Sequence, residues 1–361
     1  MVTQDNIQNF FIGIFASILI VPSVLFLVLK KEGKTKENRI LAEAPDFAFN
    51  KTYSQEFEAY YNDHFPFRNY VIKLNSLLKS EVFKVSVNPS KVQYGKDGFL
   101  FLNTKDAYNS YVHKETLGEK ELNRFADSIV RRKKALADKG IAYYYGYFPN
   151  KHEIYSEFMN DAMHDGILDR MSLAEQIERA LDKRGIAFFN PKENLLKLKD
   201  SVDLYLKLDS HWNNTGAYHT YVHFFETYPE IGIEPLRQNQ FNIRYVHQRF
   251  GDLTRLLGVD SISGYHEKRP LYELRNKSIM FTKEDVSNLP PLAIRNTNEN
   301  GINKRILFFG DSYSHPLSEF FSYHFKEAIF LRDEYNQEMV DELKPDIVVE
   351  LSVERFLHND L

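Results

Sequence analysis

From Phe10 to Leu29 every position is apolar or small and none is charged. At about 1.5 Å per residue the run is long enough to cross a hydrocarbon core of about 30 Å. Gly13 and Pro22 are tolerated inside such a helix. No basic region precedes the run and no small-residue cleavage site follows it. The pattern therefore predicts an uncleaved anchor at 10–29 behind a short tail at 1–9, rather than a removed signal peptide.

Beyond the anchor the pattern changes. Residues 30–52 are charged and polar and read as a stalk. In 53–82, Phe57, Tyr60, Tyr61, Phe65, Phe67, Tyr70, Leu74 and Leu77 recur at helical spacing, with a break expected near Pro66. Tyr94 to Phe101 reads as a hairpin turning at Asp97-Gly98. Helical and strand patterns then alternate. Helices are predicted at Glu119–Lys139, Ile167–Lys183, Thr215–Thr227 (capped by Asn213 or Asn214) and Pro316–Phe325. Strands are predicted at Ile141–Phe148, Ile186–Phe189, Arg305–Phe309, Ala328–Leu331 and Asp346–Leu351. Strands separated by helices predict an α/β fold, a parallel sheet covered by helices on both faces. The expected large domain runs over 53–361, with 53–82 as its helical lead-in and 230–300, the least regular stretch, as an insertion or lid.

Composition narrows the function. The net charge of -4 argues against a nucleic-acid binder, which carries a basic excess. The absence of cysteine excludes disulfides, thiolate zinc sites and a cysteine nucleophile. The 29 Phe and 22 Tyr serve either as core packing or as sugar-stacking platforms. Lys30, Lys31, Lys34, Lys36 and Arg39 follow the apolar run while residues 1–9 carry no Lys or Arg. Taken alone, that asymmetry places the C-terminal part in the cytoplasm.

Two segments carry chemistry. In Arg305-Ile306-Leu307-Phe308-Phe309-Gly310-Asp311-Ser312-Tyr313-Ser314 an apolar strand runs into a Gly-Asp-Ser turn and then a helix. Ligands of open α/β sheets sit beyond the carboxyl ends of the strands. Ser312 is thus presented at the sheet edge, its own N–H near a helix start and available to an oxyanion. Such tripeptides also serve as plain surface turns.

The second segment is Leu208-Asp209-Ser210-His211-Trp212-Asn213. A serine hydroxyl needs a base, and a histidine held by a carboxylate supplies one. Asp209 and His211, two residues apart, share a face if extended and bond directly if looped. Two other readings exist: Asp209 or Asn213 caps the next helix, or His219 and His223 join Asp209 and His211 as metal ligands. The sequence lacks an H-E-x-x-H arrangement, and neither a metal nor a cofactor is expected. Trp212 either walls a sugar subsite or anchors the core.

Together these segments resemble the SGNH-like acetyltransferases of the alginate O-acetyltransferase type, named for an Asp-His-His-Trp motif. Further similar pieces are Phe57-Glu58-Ala59-Tyr60-Tyr61-Asn62-Asp63-His64-Phe65-Pro66-Phe67-Arg68, Gly95-Lys96-Asp97-Gly98-Phe99, Phe148-Pro149-Asn150-Lys151-His152, Gly251-Asp252-Leu253-Thr254, and Pro345 to Glu350 with Glu354-Arg355 behind. Ser210 stands where the naming motif has its first histidine. The resemblance implies an SGNH-like (flavodoxin-like) fold and a triad of Ser312, His211 and Asp209, in the reverse chain order of ordinary SGNH hydrolases. Trp212, Tyr313, Asn150 and Lys151 are candidate substrate-binding residues, although Asn150 and Lys151 also suit a helix start.

The implied activity is transfer of acetyl groups onto hydroxyls of a cell-surface or exported polysaccharide. The implied partners are that polysaccharide and a multi-spanning membrane O-acyltransferase supplying acetyl. The resemblance places the domain outside the membrane, on a single-pass anchor, against the flanking charges. The same residues would also serve a carbohydrate acetyl-esterase, and a retained pocket alone would serve a non-catalytic polysaccharide-binding or assembly protein.

Overall fold

The structure is a computed structural model that describes residues 4–28, 41–47, 51–79, 85–248, 251–259, 264 and 266–358. The basic cluster from Lys30 to Arg39, most of the expected stalk, and short parts of the expected insertion lie outside the described residues. Two compact units are present, 1–83 and 84–361.

In the first unit, α1 (Gln4–Val28) begins before the apolar run and holds Pro22 in its interior. Its span Asn6–Val28 is long and apolar enough to cross a membrane. The predicted break at Pro66 separates α2 (Lys51–His64) from α3 (Arg68–Leu77). Proline has no N–H to continue the ladder, and Phe67 takes a left-handed φ of 62°. Phe26 packs on Tyr61 at 4.8 Å between ring centres. The helical lead-in thus belongs to the same unit as the apolar helix.

The second unit opens with the predicted hairpin. Strands β1 (Val92–Tyr94) and β2 (Leu100–Leu102) pair antiparallel. Asp97 and Gly98 both have positive φ, as a tight hairpin turn requires. There follow α4 (Lys105–Tyr111), α5 (Glu119–Ala137), β3 (Ala142–Phe148), α6 (Lys151–Ile154), α7 (Asp161–His164), α8 (Leu173–Asp182), β4 (Phe188–Phe189), α9 (Lys192–Leu198) and α10 (Asn214–Thr227). Helix α8 starts later than predicted because Ser172 and Glu175 close a capping box. Asn213 caps α10, accepting from the N–H groups of Thr215 and Gly216.

The stretch that periodicity left unread holds a hairpin, β5 (Phe241–Gln248) and β6 (Glu267–Leu274), with α11 (Asp252–Leu256) between its arms. Two edge strands come next, β7 (Thr282–Lys283) and β8 (Ile294–Thr297). The chain closes with β9 (Ile302–Gly310), α12 (Ser314–Ser322), β10 (Phe325–Leu331), α13 (Gln337–Leu343) and β11 (Ile347–Val353). Phe325, predicted to end a helix, instead begins a strand paired with Ile302.

The main sheet has the order β4-β3-β11-β9-β10-β8-β7. Its first five strands are mutually parallel. Strand β8 runs antiparallel to β10, and β7 antiparallel to β8, so the sheet is mixed at one edge. Counted from β9, the five parallel strands read 2-1-3-4-5, the flavodoxin-like doubly wound order with the chain entering at the fourth strand. The switch point of that order lies between β9 and β11, directly below the Gly-Asp-Ser turn.

Side chains alternate across the sheet. Phe308, Phe330 and Val349 join a core with Trp212, Phe224 and Phe321 on the face covered by α10 and α12. Leu307, Phe309, Ile329 and Val348 face the other way, against Ile129 of α5, Ile177 of α8 and Val340 of α13. Both faces are thus covered by helices.

Candidate active site

Strand β9 ends at Gly310, which pairs with Leu351 of β11. A Cβ at Gly310 would stand 2.3 Å from the Leu351 carbonyl oxygen, so only glycine allows this approach. Asp311 then pins the turn. Its Oδ1 accepts from the Tyr313 N–H at 2.7 Å and its Oδ2 from the Val353 N–H at 2.6 Å. Ser312 follows, half-buried, and α12 begins two residues later. Among the described residues its N–H donates no backbone hydrogen bond.

The Asp209 loop approaches from the other side. A bridge between Tyr205 and Trp212 closes it at the base. The Asp209 Oδ1 accepts from the His211 N–H at 3.0 Å and from His211 Nδ1 at 2.7 Å. His211 Nε2 lies 2.7 Å from Ser312 Oγ. The pair therefore bonds directly within a loop, and the structure brings all three residues into one chain of hydrogen bonds.

Burial pushes the His211 imidazole down, but the hydrogen bond and charge of Asp209, with the charge of Asp252, hold it above its ordinary value. Asp209 titrates well below the usual carboxylate range: burial works against this, and the bonds and charge of His211 outweigh it. An imidazole so placed can take a proton from the serine hydroxyl while the carboxylate steadies the cation that results.

Several residues of the site were not singled out from sequence. Asp252, at the start of α11, accepts from the Ser210 N–H at 2.7 Å and from the Ser210 hydroxyl, and its own N–H donates to Asp209 Oδ2 at 3.0 Å. Burial and the nearby Asp209 charge raise its pKa. Gly251 permits this contact, because a Cβ there would lie 2.2 Å from the Leu208 carbonyl oxygen. Gln248 also donates to Asp209 Oδ2, at 3.3 Å. Arg355, buried behind β11, donates to Asn150 Oδ1 at 2.9 Å and lies 5.4 Å from the centre of the Tyr313 ring. The Gly251-Asp252 and Glu354-Arg355 pieces of the resemblance were the available signals.

The four candidate substrate contacts lie behind the triad. Trp212 is 1% exposed, meets Phe148 edge-on and donates to the Tyr313 carbonyl at 3.1 Å. Of its two readings, the geometry is that of a core anchor. Tyr313, also buried, donates its hydroxyl to the Ser210 carbonyl at 2.6 Å. Asn150 is buried on Arg355 and Ser110. Lys151 is 2% exposed, and its ammonium meets three backbone carbonyls. Burial pulls its pKa to about 7, against the opposing charges of Glu267 and Asp209. Each of these four side chains is buried and holds a protein partner.

Asp209, His211 and Asp252 place ligand-type atoms within 4.8 Å of one another, but these atoms are engaged in the bonds above. His219 and His223 stand apart from that group, on Tyr218 and Phe189. A cavity of about 250 Å³ opens at the switch point, lined by Gly310, Asp311, Arg332, Tyr335, Glu350 and Ser352. It borders the serine turn without including Ser312 or His211.

The fold and site define a serine-bearing α/β protein of SGNH hydrolase-like architecture. The chain belongs to the family described as "SGNH hydrolase-like domain, acetyltransferase AlgX", whose model matches residues 92–345. No curated protein matches the chain significantly. Among solved structures, Bacillus cereus PatB1 is similar at a TM-score of 0.54 and 15% identity, over 74% of this chain and 96% of that one. PatB1 with a sulfonyl adduct gives 0.52 and 16%, over 74% and 95%. The O-acetyltransferase domain of Pseudomonas putida AlgJ gives 0.49 and 16%, over 74% and 92%.

Proposed function

We propose that this chain is an O-acetyltransferase that moves acetyl groups onto hydroxyls of a cell-surface or exported polysaccharide, through an acyl-enzyme on Ser312. The observation that carries the reading is the unbroken chain from Ser312 Oγ to His211 Nε2, 2.7 Å, and from His211 Nδ1 to Asp209 Oδ1, 2.7 Å. Family membership supports acetyl as the group transferred.

In the first half-reaction His211 Nε2 takes the Ser312 proton as Oγ attacks the acetyl carbonyl. Asp209 steadies the imidazolium, and the Ser312 N–H faces the oxyanion. Collapse breaks the bond to the donor's leaving oxygen, which leaves with the proton from His211. In the second half, His211 takes the proton of a sugar hydroxyl. That oxygen attacks the acetyl-serine carbonyl, and the proton returns to Ser312 as its ester bond breaks. Helix α1 tethers the domain to the membrane, on the extracytoplasmic side, where a multi-spanning O-acyltransferase delivers acetyl.

The test is a transfer assay with an activated acetyl ester and candidate polysaccharides. Acetate gained by a polymer, and lost with Ser312→Ala, supports the reading. Net removal of acetate from acetylated polymer, with no transfer to any acceptor, overturns it in favour of an esterase.

A further inference from the structure

We propose that Lys151 is a positioning residue, whose buried ammonium fixes the Lys207–Asp209 backbone and so holds His211 in register with Ser312. This rests on the reading above.

Lys151 opens α6 directly after β3. Its Nζ donates to the carbonyls of Leu100 at 2.7 Å, Lys207 at 2.8 Å and Asp209 at 3.0 Å. The nitrogen also lies 5.2 Å from the ring centres of both Phe99 and Phe101. A lysine ammonium has three donors on one tetrahedral nitrogen, and here each meets one acceptor. Arginine cannot copy this, since its donors lie in a plane on separate nitrogens. Methionine keeps the length of the chain and offers no donor.

The rest of the loop is held in the same way. The Ser210 carbonyl, next after the one Lys151 holds, accepts from the Tyr313 hydroxyl. On the N–H side, Lys207 and Leu208 donate to Glu267 at 2.7 and 3.0 Å, and Ser210 donates to Asp252. The peptide planes flanking Asp209 are therefore oriented by side chains from three other segments: α6, the serine turn and the β5–β6 excursion. Lys151 also bonds the Leu100 carbonyl, adding to the direct bond from the Leu100 N–H to the Lys207 carbonyl that joins this loop to the β1–β2 hairpin. Without it the Asp209 carbonyl loses the Lys151 donor and the Lys207 carbonyl keeps only the Leu100 N–H, and the loop relaxes with the imidazole it carries. A misplacement of about 1 Å costs on the order of 10²-fold in rate.

The experiment compares the full chain with Lys151→Met and Lys151→Gln on two readouts. One is the rate of Ser312 acetylation by an activated ester, split into kcat and KM. The other is the low-field proton NMR signal of the His211–Asp209 hydrogen bond, assigned by its loss in His211→Ala. We expect Lys151→Met to lower kcat by about 10²-fold with little change in KM, and to shift or abolish the low-field signal. Lys151→Gln, with two donors left, should fall between. A folded variant with wild-type kcat and signal overturns the proposal, as does lost activity with the signal intact. If Lys151→Met does not fold, Lys151→Gln decides by the same criteria. Failure of the enzyme reading is separate: it would show as an unacetylated wild type, while the NMR comparison would still report on the clamp.

Discussion

His211 Nε2 lies 2.7 Å from Ser312 Oγ although 101 residues separate them in the chain. The permuted strand order produces this contact. Strand β9 delivers the serine to the switch point from within the sheet, while the loop before α10 delivers the histidine from a segment that precedes it.

Removing either end of this contact removes the chemistry. Ser312→Ala and His211→Ala should each lower ester-driven acetyl transfer by about 10⁴-fold or more. Both side chains are only half-buried, so thermal midpoints should stay within a few degrees of wild type. Rates and melting curves on the same preparations check this.

Asp209→Asn keeps the shape of the loop and removes the charge that raises the His211 pKa. Transfer should fall by about 10⁴-fold. In the wild type the rate should drop on the acid side as His211 protonates, with a midpoint above the ordinary histidine value. Because the folded pKa is raised, the stabilisation from the His211–Asp209 pair is full below about pH 6.5 and fades as pH rises through the folded value. A flat pH–rate profile between 5 and 8 would contradict this.

Asp252 adds negative charge on the same histidine, with its Oδ2 3.6 Å from Nδ1. Asp252→Asn should therefore move the acid limb to lower pH without abolishing transfer. It should also loosen Ser210, whose N–H and hydroxyl both donate to this carboxylate. A pH–rate profile of the variant reads the first effect directly.

Away from the triad, Arg132 meets the buried Glu350 carboxylate at 2.6 Å on the interior strand β11. Burial already raises the pKa of Glu350. Arg132→Met strands that charge, at a cost of about 3–5 kcal/mol. Denaturant unfolding of the 84–361 unit should show the loss, whereas the rate at 25 °C in the folded fraction should hold.

The sequence was most legible where chemistry sat beside a regular element. Ser312 follows an apolar strand, and Asp209 and His211 sit two apart before a capped helix, so local pattern made them candidates, and the family resemblance joined them as a triad. It was least legible where contacts are long-range. Asp252 reaches Ser210 across 42 residues and Lys151 reaches the Asp209 carbonyl across 58, and no periodicity encodes either. Strand β8, Ile294-Arg295-Asn296-Thr297, is short and polar, so it carried no strand signal. Alternation of strands and helices named the elements but not their order in the sheet. The order became visible only with the pairing of β11 between β3 and β9.

The central claim is that Ser312 becomes the covalent carrier of acetyl. Its most direct test is intact-mass and peptide-level analysis after brief exposure of the full chain to an activated acetyl ester. The account predicts one added acetyl, located on Ser312, absent in Ser312→Ala and discharged on adding acceptor. An unmodified Ser312 under conditions where acetyl transfer proceeds would contradict it.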